Sequence, residues 1–195
     1  MMKKSEITLL CVVLLTLGNI RVTAQTKPAD LPSSLITIYT NLGPRPNWFN
    51  CHAGLRVSQI APTEEWAMPF TPQGDYLLVE VQIALTWVSG FNKATVSIYT
   101  DQGGLPGTSI RDYPLSNLPK FGVSCYLDNL KFSPGVKLQK GKQYWVVAKA
   151  ANLSNDKWNL TYNGANGTIA RKLGTAGWTV NNSAPLGALA VLAVQ

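Results

Sequence analysis

The segment YLLVEVQIALTWV, residues 76–88, alternates large apolar with polar side chains at a period of two. That spacing suits a β-strand with one buried face, because a helix would scatter the same residues around its circumference. Val79, Val81, Ile83, Leu85 and Trp87 fall on one side and Glu80, Gln82 and Thr86 on the other. KATVSIYT, 93–100, repeats the pattern with Ala94, Val96 and Ile98 against Thr95, Ser97 and Tyr99. The VSGFN between them supplies Ser89, Gly90 and Asn92, turn-forming residues that predict a hairpin. Further strands are predicted at SLITIYT, SCYLDNLKF, KQYWVVAKA, DKWNLTY, GTIARK and GALAVLAV, each bounded by Gly, Pro, Asn or Ser. No segment shows a convincing helical period. Many short strands with Gly- and Pro-rich connections predict an all-β fold, a single antiparallel β-sandwich, with jelly-roll-like and immunoglobulin-like topologies both open.

The N-terminus predicts export. Lys3 and Lys4 precede the apolar run ITLLCVVLLTLG, and VTA precedes Gln25, the arrangement of a signal peptide cleaved after Ala24. The expected organisation is a signal peptide over 1–24, a polar, Pro-containing lead over 25–34 and a β-sandwich domain over 35–195. A leader also bears on the cysteines. Losing Cys11 leaves Cys51 and Cys125, and an oxidising compartment favours their pairing. The chain is basic, with 17 Lys and Arg against 10 Asp and Glu. Lys131, Lys137, Lys140, Lys142 and Lys149 are close in sequence. They are read either as a patch attractive to acidic polysaccharide or nucleic acid, or as solubilising and edge-protecting charges spaced along strands and turns, and the second reading is preferred.

Catalytic chemistry finds little to work with. His52, in FNCHAG, is the sole histidine, and one imidazole beside a paired cysteine makes neither a nucleophilic triad nor a zinc site. Glycoside hydrolysis requires two carboxyl groups flanking a bond. Asp75, Glu80, Asp101, Asp112, Asp128 and Asp156 are dispersed, while the adjacent Glu64 and Glu65 would point to opposite sides of a strand. No catalytic residue or cofactor is therefore nominated, and the expectation is a protein that is not an enzyme. Calcium at Asp101 or Asp156 is kept as a weak metal alternative. VSIYTDQGGLPGT, 96–108, lacks the lysine and following helix of a phosphate loop, and Gly103, Gly104, Gly107 and Pro106 predict a tight strand exit at a sandwich corner. The best binding hint is aromatic. Trp, Tyr and Asn stack on and hydrogen-bond to sugar rings, which nominates Trp48, Trp158, Trp178, Asn159 and Tyr162 as ligand-binding candidates, with core filling the competing role for each tryptophan. NLTYNGANGT and TAGWTVNNSAP are read as polar loops.

The order of FTPQGDYLLVEVQIAL, ATVSIYTDQGGLPGTSI, LPKFGVSCYLDNLKF, VKLQKGKQYWVVAKA, WNL and GALAVLAV resembles the choice-of-anchor type R domain of exported bacterial proteins, over about Asn41 to Val194. The resemblance implies an extracellular or surface β-sandwich of unknown activity, in a family whose members often carry C-terminal sorting signals. This chain reads VLAVQ at its end, without a sorting box or final hydrophobic helix, so no transmembrane anchor is expected in the mature chain. The function expected is a secreted or cell-surface, non-catalytic interaction module, with an extracellular glycan or envelope component as partner and no specific nucleic acid. The alternatives are a structural extracellular matrix or surface-layer component and, less favoured, a hydrolase using loop carboxylates.

Overall fold

Thirteen strands and no helix make up the regular structure of residues 34–43, 49–162 and 164–195, the part of the chain described in the computed structural model. The expected leader, the lead up to residue 33 and Trp48 lie outside the described residues. In chain order the strands are β1 Ile36–Thr40, β2 Phe49–Ser58, β3 Glu64–Phe70, β4 Tyr76–Ile83, β5 Leu85–Gly90, β6 Lys93–Asp101, β7 Pro106–Ser116, β8 Asp128–Leu138, β9 Tyr144–Ala150, β10 Ser154–Thr161, β11 Asn166–Leu173, β12 Trp178–Pro185 and β13 Leu189–Val194. They form two antiparallel sheets, not closed into a barrel, and the fold is the expected all-β sandwich. The smaller sheet runs β1-β13-β4-β8. The larger runs β5-β10-β2-β3-β9-β6-β7, and the β11–β12 hairpin joins it along β3.

The core lies between the sheets. Leu78, Val81 and Ile83 of β4, Leu130, Phe132 and Val136 of β8, and Leu189 and Val191 of β13 meet Met68 and Phe70 of β3, Val96 and Ile98 of β6, Val146 and Ala148 of β9, and Trp158 of β10. Burial of these apolar faces is what drives the two layers together. A second buried cluster, Ala67, Trp145, Val147 and Ala170, occupies the opposite face of the larger sheet, with Tyr99 and Trp178 packed on it.

The alternating segment 76–88 does not stay in one sheet. Its pairing shifts register between Leu78 and Glu80, so Leu78 and Val81 are both buried while Val79 is only half-buried. At Ala84 the chain then crosses from β4 in the smaller sheet to β5 in the larger. The Ala84 N–H donates to the Ala188 carbonyl at 3.4 Å, just ahead of β13, and its own carbonyl accepts from the Asn159 N–H of β10 at 2.9 Å. The expected hairpin of 76–88 with 93–100 is therefore absent. Residues 89–92 do turn the chain, but β5 pairs with β10 and β6 pairs with β7 and β9.

Other segments depart from expectation too, since β2, β3 and β7 are strands that were not among those predicted. TAGWTVNNSAP contains a strand, β12, paired with β11 from Trp178 to Pro185. Its side chains are largely exposed, so it shows no apolar alternation. VSIYTDQGGLPGT is the bend of the β6–β7 hairpin within one sheet, and not a corner between the two.

Candidate functional site

The β6–β7 bend is closed by the Gln102 N–H donating to the Leu105 carbonyl at 2.8 Å. Gly103 and Gly104 hold φ of 65° and 81°, the left-handed region where a side chain is strained. The Gly104 N–H donates to Asp101 Oδ2 at 3.0 Å. β6 lies antiparallel to β9 with Tyr99 opposite Trp145 and Thr100 opposite Tyr144, so the end of β6 reaches the start of β9. There Asp101 Oδ1 accepts from Gln143 Nε2 at 2.7 Å and from Trp145 Nε1 at 2.8 Å. Burial pushes the Asp101 carboxyl up, but the donors on Gly104, Trp145 and Gln143 outweigh it and hold the group below the usual carboxylate range. Asp101 thus ties the hairpin bend to β9, and its carboxylate is already satisfied from three directions.

Beside this junction lies a cleft of about 660 Å³ lined by Thr100, Asp101, Ile110, Lys137, Gln139, Lys142, Gln143 and Tyr144. A second cleft of about 590 Å³ shares Lys137 and Gln139 and adds Asp75, Tyr76, Leu77, Leu138, Val194 and Gln195. Both depend on the β8–β9 connection, which is fixed by backbone bonds. The Lys142 N–H donates to the Gln139 carbonyl at 3.2 Å and the Gly141 N–H to the Pro72 carbonyl at 2.9 Å. The Gln139 N–H donates to the Tyr144 hydroxyl at 3.1 Å, and the Lys140 N–H to Asp75 Oδ1 at 2.8 Å. The ion pairs formed among the described residues, Lys149 with Glu65 and Arg171 with Glu64, do not involve Lys137, Lys140 or Lys142. The clefts therefore present ammonium groups and side-chain amides on a loop whose backbone is held in place, a combination suited to binding oxygen-rich ligands.

The residues nominated from sequence are placed differently. Trp158 is fully buried, its indole N–H donating to the Ala188 carbonyl at 3.0 Å. Asn159 is equally buried, with Oδ1 accepting from the Thr86 hydroxyl at 3.0 Å. Neither offers a face to a sugar, and both are corrected to interior residues. Trp178 is half-buried against the second apolar cluster, while Tyr162 is 64% exposed. Trp158, Asn159, Trp178 and Tyr162 line neither of the two clefts. Cys51 and Cys125 do meet, as a disulfide with Cα atoms 5.8 Å apart.

Among the described residues the side-chain carboxylates do not converge on either cleft. Asp101 lines the first and Asp75 the second. Asp156 is fully buried, taking one hydrogen bond from the Ser154 hydroxyl at 2.9 Å, with Oδ1 unpartnered. Burial raises it to about 7. Asp128, also raised by burial, reaches about 6. As the weak calcium candidates, Asp101 is committed to three donors and Asp156 is enclosed. Among the described residues no three His, Cys, Asp or Glu side chains cluster as metal ligands do.

The cleft residues Gln139, Gln143 and Tyr144 were not singled out by sequence. The signal was the density of Lys and Gln in KLQKGKQYW, whose lysines read by preference as solubilising charges spaced along strands and turns. A scan of protein-family models, a search of curated proteins and a search of solved structures match nothing to this chain.

Proposed function

We propose that this chain is an exported, non-catalytic β-sandwich interaction module, of the kind the choice-of-anchor type R resemblance implies, that binds an extracellular glycan through the paired clefts at the β8–β9 connection. The observation that carries the reading is the cleft lining itself. Lys137 at the end of β8 and Gln139, Lys142 and Gln143 of the connection line the first cleft, and four hydrogen bonds fix the backbone of that connection, which lowers the backbone ordering cost of binding. The Cys51–Cys125 disulfide fits an oxidising location, and among the described residues no helix is long and apolar enough to cross a membrane.

A glycan array probed with the wild-type chain and with a Gln139→Ala, Lys142→Ala double variant tests the proposal. Binding by the wild type that the variant loses supports it; a blank array, or identical patterns for the two proteins, overturns it. A structural role has one observation in its favour, since among the described residues the eleven-residue β7 ends the larger sheet and is paired by β6 alone, leaving an edge able to accept another strand. Concentration-dependent association of the purified chain, abolished by a proline at Ser109, would support that role.

A further inference from the structure

The geometry points to an acidic polysaccharide, one bearing carboxylate or sulfate groups along its length, as the ligand of the two clefts. This deepens the glycan reading above and rests on it. Lys137 and Gln139 line both clefts, so a chain of sugars that occupied both would run past these two residues and have Lys142 in the first cleft. Lys140 lies in the same connection, its backbone fixed to Asp75. The local side-chain carboxylates, Asp101 and Asp75, keep their charge and are outnumbered by the three lysines. Both Asp101 oxygens accept hydrogen bonds from Gly104, Gln143 and Trp145, and Asp75 accepts from the Lys140 backbone. Lys137, Lys140 and Lys142 make no ion pair among the described residues. Lysines that form no ion pair among the described residues, two of them lining the clefts together with Gln139, Gln143 and Thr100, match a ligand that repeats negative charge and hydroxyl groups along its own length.

The test uses the full 195-residue chain and three probes, polygalacturonate, neutral dextran and inorganic polyphosphate, with affinity measured by titration calorimetry at two salt concentrations. Polygalacturonate is expected to bind, more weakly in higher salt, and the Lys137→Gln, Lys142→Gln double variant to lose about tenfold or more in affinity with a smaller salt dependence. A Lys93→Gln, Lys131→Gln variant removes the same charge at exposed positions outside the clefts and is expected to bind as wild type does. Equal losses in the two variants would overturn the assignment to the clefts. Polyphosphate binding as tight as polygalacturonate would show recognition of charge alone and overturn the polysaccharide part. Dextran binding that survives Lys137→Gln, Lys142→Gln would overturn the acidic class while leaving the glycan reading standing, and no binding of either sugar polymer would remove both.

Discussion

Gly187 lies directly against the indole of Trp158, so closely that a β-carbon at position 187 would sit 2.6 Å from Nε1 and 2.7 Å from Cδ1. The contact pins the segment before β13 in the smaller sheet onto β10 in the larger, where the same indole N–H donates to the neighbouring Ala188 carbonyl. Gly187→Ala has to displace a fully buried tryptophan. It is expected to cost about 1–3 kcal/mol, read as a lowered urea midpoint with an unchanged slope.

Asp156 is expected to make stability fall as pH rises towards neutrality. Its carboxyl loses its proton near 3.8 in the unfolded chain and at about 7 in the fold, because burial disfavours the charge. Between those values the native state holds one more proton than the unfolded state, so this group's contribution falls as pH rises through the window and is fully unfavourable above about 7. A shift of that size corresponds to at most roughly 4 kcal/mol. Asp128, raised to about 6 by burial, acts in the same direction over a narrower range. Asp156→Asn is expected to lose at least about 2 kcal/mol less than wild type between pH 4 and pH 8, measured by urea unfolding across that range.

The Cys51–Cys125 bond links positions 74 residues apart. Closing a loop of that length restricts the unfolded chain, and the Cys51→Ser, Cys125→Ser variant is expected to be less stable by roughly 4 kcal/mol. Calorimetric melting of the two proteins, with wild type also melted in a thiol reductant, checks the figure.

Removing the Asp101 side chain leaves the indole N–H of the fully buried Trp145 without its acceptor. Asp101→Ala is expected to destabilise by about 1–3 kcal/mol and to change Trp145 fluorescence, whereas Asp101→Asn keeps one acceptor oxygen and is expected to lose less. Comparing the two by urea unfolding separates the lost hydrogen bond from loss of the turn.

Period-two alternation made the sandwich legible, because it reports a half-buried strand whichever sheet that strand enters. For the same reason it was silent about Ala84, since Ile83 and Leu85 satisfy the pattern on both sides of the crossing. The β5–β10 pairing joins residues far apart in sequence, so no local signal competes with the nearby turn residues that suggested a β5–β6 hairpin. β12 was missed because its exposed Thr179, Asn181 and Asn182 read as loop composition. β7 carries Pro106 and Pro114, residues that argue against a strand unless it lies at an edge. At the candidate site, composition identified aromatic and basic residues but not their exposure. Trp158 and Trp178 look equivalent in sequence, and only packing makes one an interior plug and the other a partly open surface.

The crossing at Ala84 has a mechanical consequence. One continuous run of chain is a member of both layers, and its hinge is bonded to Ala188 on one side and Asn159 on the other. A pull that peels the sheets apart must load the backbone of residues 83–85 along its length as well as shear the side-chain contacts between layers. At this corner the two layers are joined by the chain itself as well as by packing, so a load applied to β4 or to β5 passes directly into the other layer.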